Sequence, residues 1–160
     1  MEDIWNITAL VVSVLSVLLS LYALRQATTK NTSDMYLFFI SQYAKEDMKL
    51  ALRKLKDIKR GVYRLEQWES DMKNNLPKAF EYDEARRLVK YFYDTLAYMK
   101  LETLIEARFV RLICLKKGAW LYLDTVEAME KFFDSGYDKK PYAVIRDVCE
   151  NLRKEGCCPP

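Results

Sequence analysis

The chain has 160 residues, of which 51% are hydrophobic and 31% are charged, a composition typical of a folded protein rather than a disordered one. It contains no histidine, which removes the commonest general base and the commonest neutral metal ligand. The net charge of +3 is too small to indicate a nucleic-acid partner, and the four glycines form no phosphate-binding loop.

The first element is an apolar segment that predicts a transmembrane helix over residues 7–27. No residue from Ile7 to Leu24 is charged, and about 20 helical residues cross a hydrocarbon core about 30 Å thick. The acidic start, MEDIWN, is unlike the positive start of a secretory signal peptide, so we expect the helix to be retained. Basic residues follow the span and none precedes it. This predicts a single-pass protein of the cell membrane, with residues 1–6 outside and the C-terminal domain in the cytoplasm.

Small residues recur along this helix at spacings of 4, 3, 4, 3 and 4, within an arc of about 80°. They are Ala9, Ser13, Ser16, Ser20, Ala23 and Ala27. In lipid, such a stripe lets a second helix approach closely and lets hydroxyls bond across the gap, which predicts a packing face. The alternative is that each serine hydroxyl bonds the carbonyl four residues earlier in its own helix.

Residues 28–156 predict a cytoplasmic all-α domain, a bundle of about five helices, because apolar residues recur at helical spacing and no alternating β-branched run appears. The expected helices are 34–43, 45–60, 82–102, 104–118, 119–135 and 142–156, with a short helix around Trp68 in a less regular stretch. Thr32 or Ser33 is the expected N-cap of the first, and Asp83 and Glu84 fall in the first turn of the third. Gly61, Gly118 and Gly136 are expected to end helices.

The helix over 45–60 is basic and amphipathic. Between residues 45 and 64 there are eight Lys or Arg residues and three Asp or Glu residues. The residues expected to contact anionic lipid headgroups are Lys49, Arg53, Lys56, Lys59 and Arg60. The alternative is a solvated charged face on a helix whose other side enters the core.

Cysteine supplies the one unusual chemical feature of the chain. The tail, residues 157–160, reads CCPP, and two neighbouring thiols at Cys157 and Cys158 are candidates for oxidation, modification or metal binding. Cys114 and Cys149 are expected to be buried packing residues. The aromatic group YFYDTLAY, residues 91–98, is expected to lie in the core, and no cofactor, metal site or catalytic residue is predicted.

Three segments carry a family resemblance: EDMKLALRKLKDI, ARRLVKYFYDTLAYMKLETL and WLYLDTVEAMEKF. In this pattern the chain resembles a family of uncharacterised short prokaryotic proteins with one N-terminal transmembrane helix and a helical cytoplasmic domain of unknown function. The resemblance implies an anchor followed by helices, and it supplies no catalytic residues. Some proteins of similar layout are suspected of roles in defence against phage.

These features predict a membrane-anchored, non-enzymatic interaction protein, an accessory or regulatory subunit of a larger membrane complex. Its partner would be another membrane protein, or a second copy of the chain, docked through the transmembrane helix, with anionic headgroups as a further contact and no nucleic acid. The alternative is a redox- or metal-responsive sensor or effector, for example in stress or phage defence, that uses Cys157 and Cys158.

Overall fold

The computed structural model describes the backbone of residues 2–134 and 136–157, and the side chains of 15–23, 26, 33–134 and 136–157. Within these residues every regular element is helical, which confirms the all-α prediction. The chain divides into two compact units, residues 1–37 and 38–160, which are described separately below.

The helices of the described residues have the following bounds. They are α1 (Glu2–Ala44), α2 (Glu46–Lys59), α3 (Leu65–Lys73), α4 (Pro77–Leu101), α5 (Ala107–Cys114), α6 (Lys117–Leu121), α7 (Glu127–Phe133) and α8 (Lys140–Lys154), with a π-helical segment at Tyr122–Val126 between α6 and α7. Because α6, the π segment and α7 are continuous, six helical stretches follow α1, where about five were predicted.

No helix among the described residues combines the length and the apolarity that a membrane span requires. Of the predicted span over 7–27, the side chains of residues 7–14, 24, 25 and 27 lie outside the described residues.

The predicted helix start at Thr32 or Ser33 is wrong, because α1 runs through both positions. The sequence between residues 25 and 37 contains neither glycine nor proline. Extending a helix adds one hydrogen bond for each residue fixed, whereas starting a new helix requires a costly nucleus. Weak capping residues therefore do not interrupt it.

The predicted helix end at Gly118 is also wrong. The helix ends four residues earlier, at Cys114, and Gly118 lies inside α6. A Cβ at this position would lie 2.7 Å from the Tyr93 hydroxyl and 2.9 Å from the Tyr43 hydroxyl. Glycine is present here because two tyrosines approach the backbone closely, rather than because the helix ends.

The prediction that Asp83 and Glu84 lie in the first turn of a helix beginning at Tyr82 is wrong as well. Proline at the first position starts α4 at Pro77, so Asp83 lies a turn further along and is only 1% exposed.

The core of the second unit forms around α4, which packs against α2, α3, α5, α8 and the π segment. Val89, Tyr93 and Leu96 of α4 are fully buried, as are Leu55 of α2 and Ile145 of α8. Burying a side chain of this size stabilises the fold by about 1.5–3 kcal/mol relative to exposure. The amphipathic stripes seen in the sequence therefore converge on one central helix.

Four helices end with the same backbone turn. At the end of α2, Gly61 (φ 74°) donates its N–H to the Ile58 carbonyl, and Val62 donates to the Asp57 carbonyl, which is a Schellman motif. The equivalent left-handed residues are Asn75 after α3, Thr103 after α4 and Gly156 after α8. The predicted helix end at Gly61 is thus confirmed.

Candidate functional site

The first candidate surface is the stretch of α1 from Leu15 to Ala23. All nine side chains in it are exposed, and six of them are large and apolar. Their exposed fractions run from 53% at Leu15 to 67% at Leu19. A helix that is apolar on every side normally lies in a protein core or in lipid, because water solvates it poorly. These side chains therefore need a covering that the described residues do not supply.

Of the predicted packing face, Ser16, Ser20 and Ala23 are described, and all three are exposed. The Ser20 hydroxyl donates to the Ser16 carbonyl at 2.8 Å. The Ser20 hydroxyl therefore bonds within its own helix, as the alternative interpretation predicts. The same oxygen can still accept a hydrogen bond from a second helix. Ala9, Ser13 and Ala27 have side chains outside the described residues, and the packing face stays a prediction.

The second candidate surface is an apolar groove of about 300 Å³ where the end of α1 meets α2 and α4. Its walls include Phe38 (56% exposed), Leu88 (37%) and Tyr91 (74%), with Phe39 and Phe92 beneath them. Its polar rim is formed by Gln42, Lys45, Asp47 and Thr95. Clefts of this size and lining accept an apolar side chain or a small apolar ligand.

This groove continues along α2 and α4 into a second cleft of about 470 Å³, with Asp47 and Leu88 lining both. Leu50 (43% exposed) adds another apolar contact there. Glu81 at its edge is paired with Lys54 at 3.0 Å. Asp47 and Glu84 make no ion pair within the described part of the chain. The two clefts therefore form an elongated channel that is apolar at the α1 end and carries two unpaired carboxylates along α2 and α4.

Sequence reasoning missed the groove. The aromatic group at 91–98 is predicted to lie in the core, which is right for Phe92 and Tyr93 but wrong for Tyr91 and Tyr98, which are 74% and 41% exposed. The positions of residues around the axis of α4 could have indicated the groove. Leu88 and Tyr91 lie on the same side of α4 as Glu84 and Thr95, the polar side of the helix.

The five basic residues predicted to meet headgroups, Lys49, Arg53, Lys56, Lys59 and Arg60, are all exposed on α2 or at its end. The structure does not keep them on one surface. Lys59 instead pairs with Asp124 at 2.5 Å. The buried side of α2 holds Met48, Ala51, Leu55 and Ile58, as its periodicity predicts.

A buried polar network joins α4 to the π segment and α7, and sequence reasoning missed it. Arg86, 8% exposed, donates to Asp83 at 2.7 Å, also pairs with Glu130, and lies over the Phe133 ring. A second branch is centred on Asp94, whose two carboxylate oxygens accept hydrogen bonds from Lys90 and Tyr122, each at 2.5 Å. In a third, Glu127 accepts from Tyr137 at 2.6 Å and pairs with Arg146. Opposite charges satisfy one another here, so the network is a structural element rather than a free site.

Cys114 and Cys149 are buried between α5 and α8, as predicted. The hydrogen bond to Cys149, and then burial, raise the pKa of the Cys114 thiol. A buried protonated thiol is a poor nucleophile. Cys157 is exposed, whereas Cys158 lies outside the described residues, so the tail pair stays a prediction. In the described part of the chain, no three Cys, Asp or Glu side chains are grouped so as to hold a metal ion.

The fold and these surfaces define an all-α protein with an exposed apolar helix and an elongated apolar groove. No protein family, curated protein or solved structure matches the chain. The function proposed below therefore depends on these surfaces alone.

Proposed function

We propose that this chain is a membrane-anchored interaction protein, an accessory subunit whose N-terminal helix lies in the bilayer beside another membrane protein. The observation that carries the proposal is that every side chain from Leu15 to Ala23 is exposed and most are large and apolar. Lipid suits such a helix, since every side except the small-residue face presents large apolar side chains. The uncharged sequence from Ile7 to Leu24 supports the same interpretation.

The groove along α2 and α4 is the surface proposed for contact with the soluble part of the partner. An elongated channel between two helices suits a third helix that inserts apolar side chains at positions i, i+3 or i+4, and i+7. Asp47 and Glu84, which lack ion pairs among the described residues, favour a partner helix with Lys or Arg beside those apolar side chains.

The test has two stages and uses the full chain in cells. In the first, membranes are washed with alkaline carbonate, which strips peripheral proteins but leaves spanning helices in place. We expect the chain to stay in the membrane pellet. Recovery in the carbonate supernatant would contradict the anchor.

In the second stage, the chain is purified in mild detergent and the stoichiometry of whatever travels with it is measured. Ser16→Leu with Ser20→Leu should release the partner, because two larger side chains hold the helices apart. Leu15→Phe with Leu18→Phe adds bulk to the opposite side and should leave the partner bound. Equal retention, or equal loss, in the two double variants would count against docking through the small-residue face.

A further inference from the structure

A row of basic side chains follows one face of α2. Lys45, Lys49, Arg53, Lys56 and Arg60 recur at spacings of 4, 4, 3 and 4, and all five are exposed. At about 100° per residue they fall within an arc of about 80° and extend over about 22 Å. We call this set the basic face. It lies opposite the buried side of the helix, so packing of the core leaves it uncovered.

The charges of the basic face are largely uncompensated. Lys49 approaches Glu46 at 3.2 Å, but that pair is more than half exposed on both sides and so contributes little. Lys45, Arg53, Lys56 and Arg60 form no ion pair with any described residue. Lys54 and Lys59, which lie outside this arc, are the basic residues of α2 that pair with other helices, through Glu81 and Asp124. These four unpaired charges, with the exposed Lys49 among them, create a positive potential that selects an anionic partner.

The composition of the basic face indicates which anionic partner it fits. Protein interfaces have an apolar or aromatic centre depleted of lysine, and this arc contains no apolar side chain. Single-stranded nucleic acid is held by aromatic platforms, which are also missing from the arc. A sheet of anionic lipid headgroups requires neither of these, since it attracts a row of flexible cations in any register.

We propose that the basic face of α2 binds the anionic headgroup surface of a lipid bilayer. The inference rests on the proposed function, because an anchored chain keeps α2 close to a membrane. The proposed contact differs from the sequence-based prediction in two residues, because it includes Lys45 and omits Lys59.

The experiment uses the full chain reconstituted in nanodiscs of phosphatidylcholine alone, so that the N-terminal helix is already placed in neutral lipid. These discs are mixed with vesicles of phosphatidylcholine, with or without 30% phosphatidylglycerol, and binding is measured by co-flotation. We expect binding to the anionic vesicles only, abolished by 0.5 M salt.

Each basic residue near an anionic surface strengthens binding to the vesicles about fivefold. The quadruple variant with Lys49→Gln, Arg53→Gln, Lys56→Gln and Arg60→Gln should therefore weaken binding on the order of 100-fold or more. The matched control removes the same four charges at exposed positions elsewhere, through Lys116→Gln, Lys117→Gln, Arg153→Gln and Lys154→Gln. It should stay within a few-fold of the wild type, and circular dichroism checks that both variants are folded.

Equal losses in the two quadruple variants would mean that net charge alone attracts the vesicles, and would overturn the proposal. So would tighter binding of a 20-base-pair DNA duplex than of the anionic vesicles at the same salt. A chain that fails to enter the nanodiscs would contradict the proposed function instead. The vesicle titration would then be made with the chain in solution, where it still tests the basic face.

Discussion

At the scale of single residues, the position that the structure explains most sharply is Gly118. Its N–H donates to the Tyr43 hydroxyl at 3.2 Å, and the hydroxyls of Tyr43 and Tyr93 occupy the space where a Cβ would lie. Tyr93 is fully buried and stacks on Tyr122, so its ring has little freedom to move. A glycine that looks like a helix end in the sequence is thus a packing residue.

We expect Gly118→Ala to lower the free energy of unfolding by about 1–3 kcal/mol, because the added methyl overpacks a site with no space for it. Better helix propensity, worth about 1 kcal/mol, opposes this loss without cancelling it. Urea denaturation followed by circular dichroism measures the change.

The matched background is Tyr43→Phe with Tyr93→Phe, which removes the two oxygens that the methyl would meet. In that background Gly118→Ala should lower the free energy of unfolding by clearly less, or leave it unchanged. An equal cost in both backgrounds would show that the hydroxyls are not the reason for glycine.

At the scale of elements, the π segment determines how α7 meets α4. In a regular α-helix Tyr122 and Glu130 would lie about 80° apart around the axis. The wider turn with i→i+5 bonding rotates each residue by less, which brings the two toward the same side. Tyr122 then reaches Asp94, and Glu130 reaches Arg86, so both ends of this stretch contact α4.

Removing Arg86 should be among the most destabilising single changes in this interface. Arg86→Met leaves Asp83 and Glu130 buried with one cation fewer, and breaking a buried pair costs about 3–5 kcal/mol. Thermal unfolding of the purified chain gives the loss.

Replacing all three partners, through Arg86→Met, Asp83→Leu and Glu130→Leu, removes the stranded charges as well. This triple variant should be more stable than Arg86→Met alone, since apolar groups of similar volume replace a buried ion network at little net cost. A less stable triple variant would indicate that the attraction among these three charges exceeds the free-energy cost of burying them.

At the scale of the whole molecule, the core is rich in phenols that the fold keeps neutral. Burial raises the pKa of Tyr63, Tyr93, Tyr122 and Tyr142, and burial with the Glu127 hydrogen bond raises the pKa of Tyr137 to about 12. Unfolded tyrosine ionises near pH 10. The stability that these groups contribute is therefore fully present below pH 10, and it is lost as the pH rises from 10 toward the folded-state values.

We expect helix content and tyrosinate absorbance at 295 nm to change together in one cooperative alkaline transition above pH 10, with the buried phenols ionising as the chain unfolds. Tyr91→Phe, which removes a phenol that is 74% exposed, should leave the midpoint of that transition unchanged. Smooth ionisation of the buried tyrosines near pH 10, with the helices intact, would contradict the burial of these groups.

The predictions that hold depend on neighbours in the chain. The all-α class, the buried side of α2 and the helix end at Gly61 follow from periodicity and from the φ of one residue. The exposed apolar stretch at 15–23 is equally local, because its composition alone makes it unlike the rest of the chain.

Some errors are local, such as the start of α4 at Pro77, but others involve contacts between residues distant in the chain. Gly118 resembles a helix end because Tyr43, which it contacts, lies 75 residues away. Asp83 is buried beside Arg86, and Arg86 also pairs with Glu130 on another helix. The groove combines Phe38 with Leu88 and Tyr91, and no periodicity within one helix can indicate which helices will meet.

The helical segments, the apolar side of each one and the lack of charge from Ile7 to Leu24 follow from the sequence, because each is a property of a single segment. The central position of α4, the ion pairs that link Asp83, Arg86 and Glu130, and the pairing of Lys59 with Asp124 depend on the fold. Packing is set by distances between segments, and those distances exist only after the chain has folded.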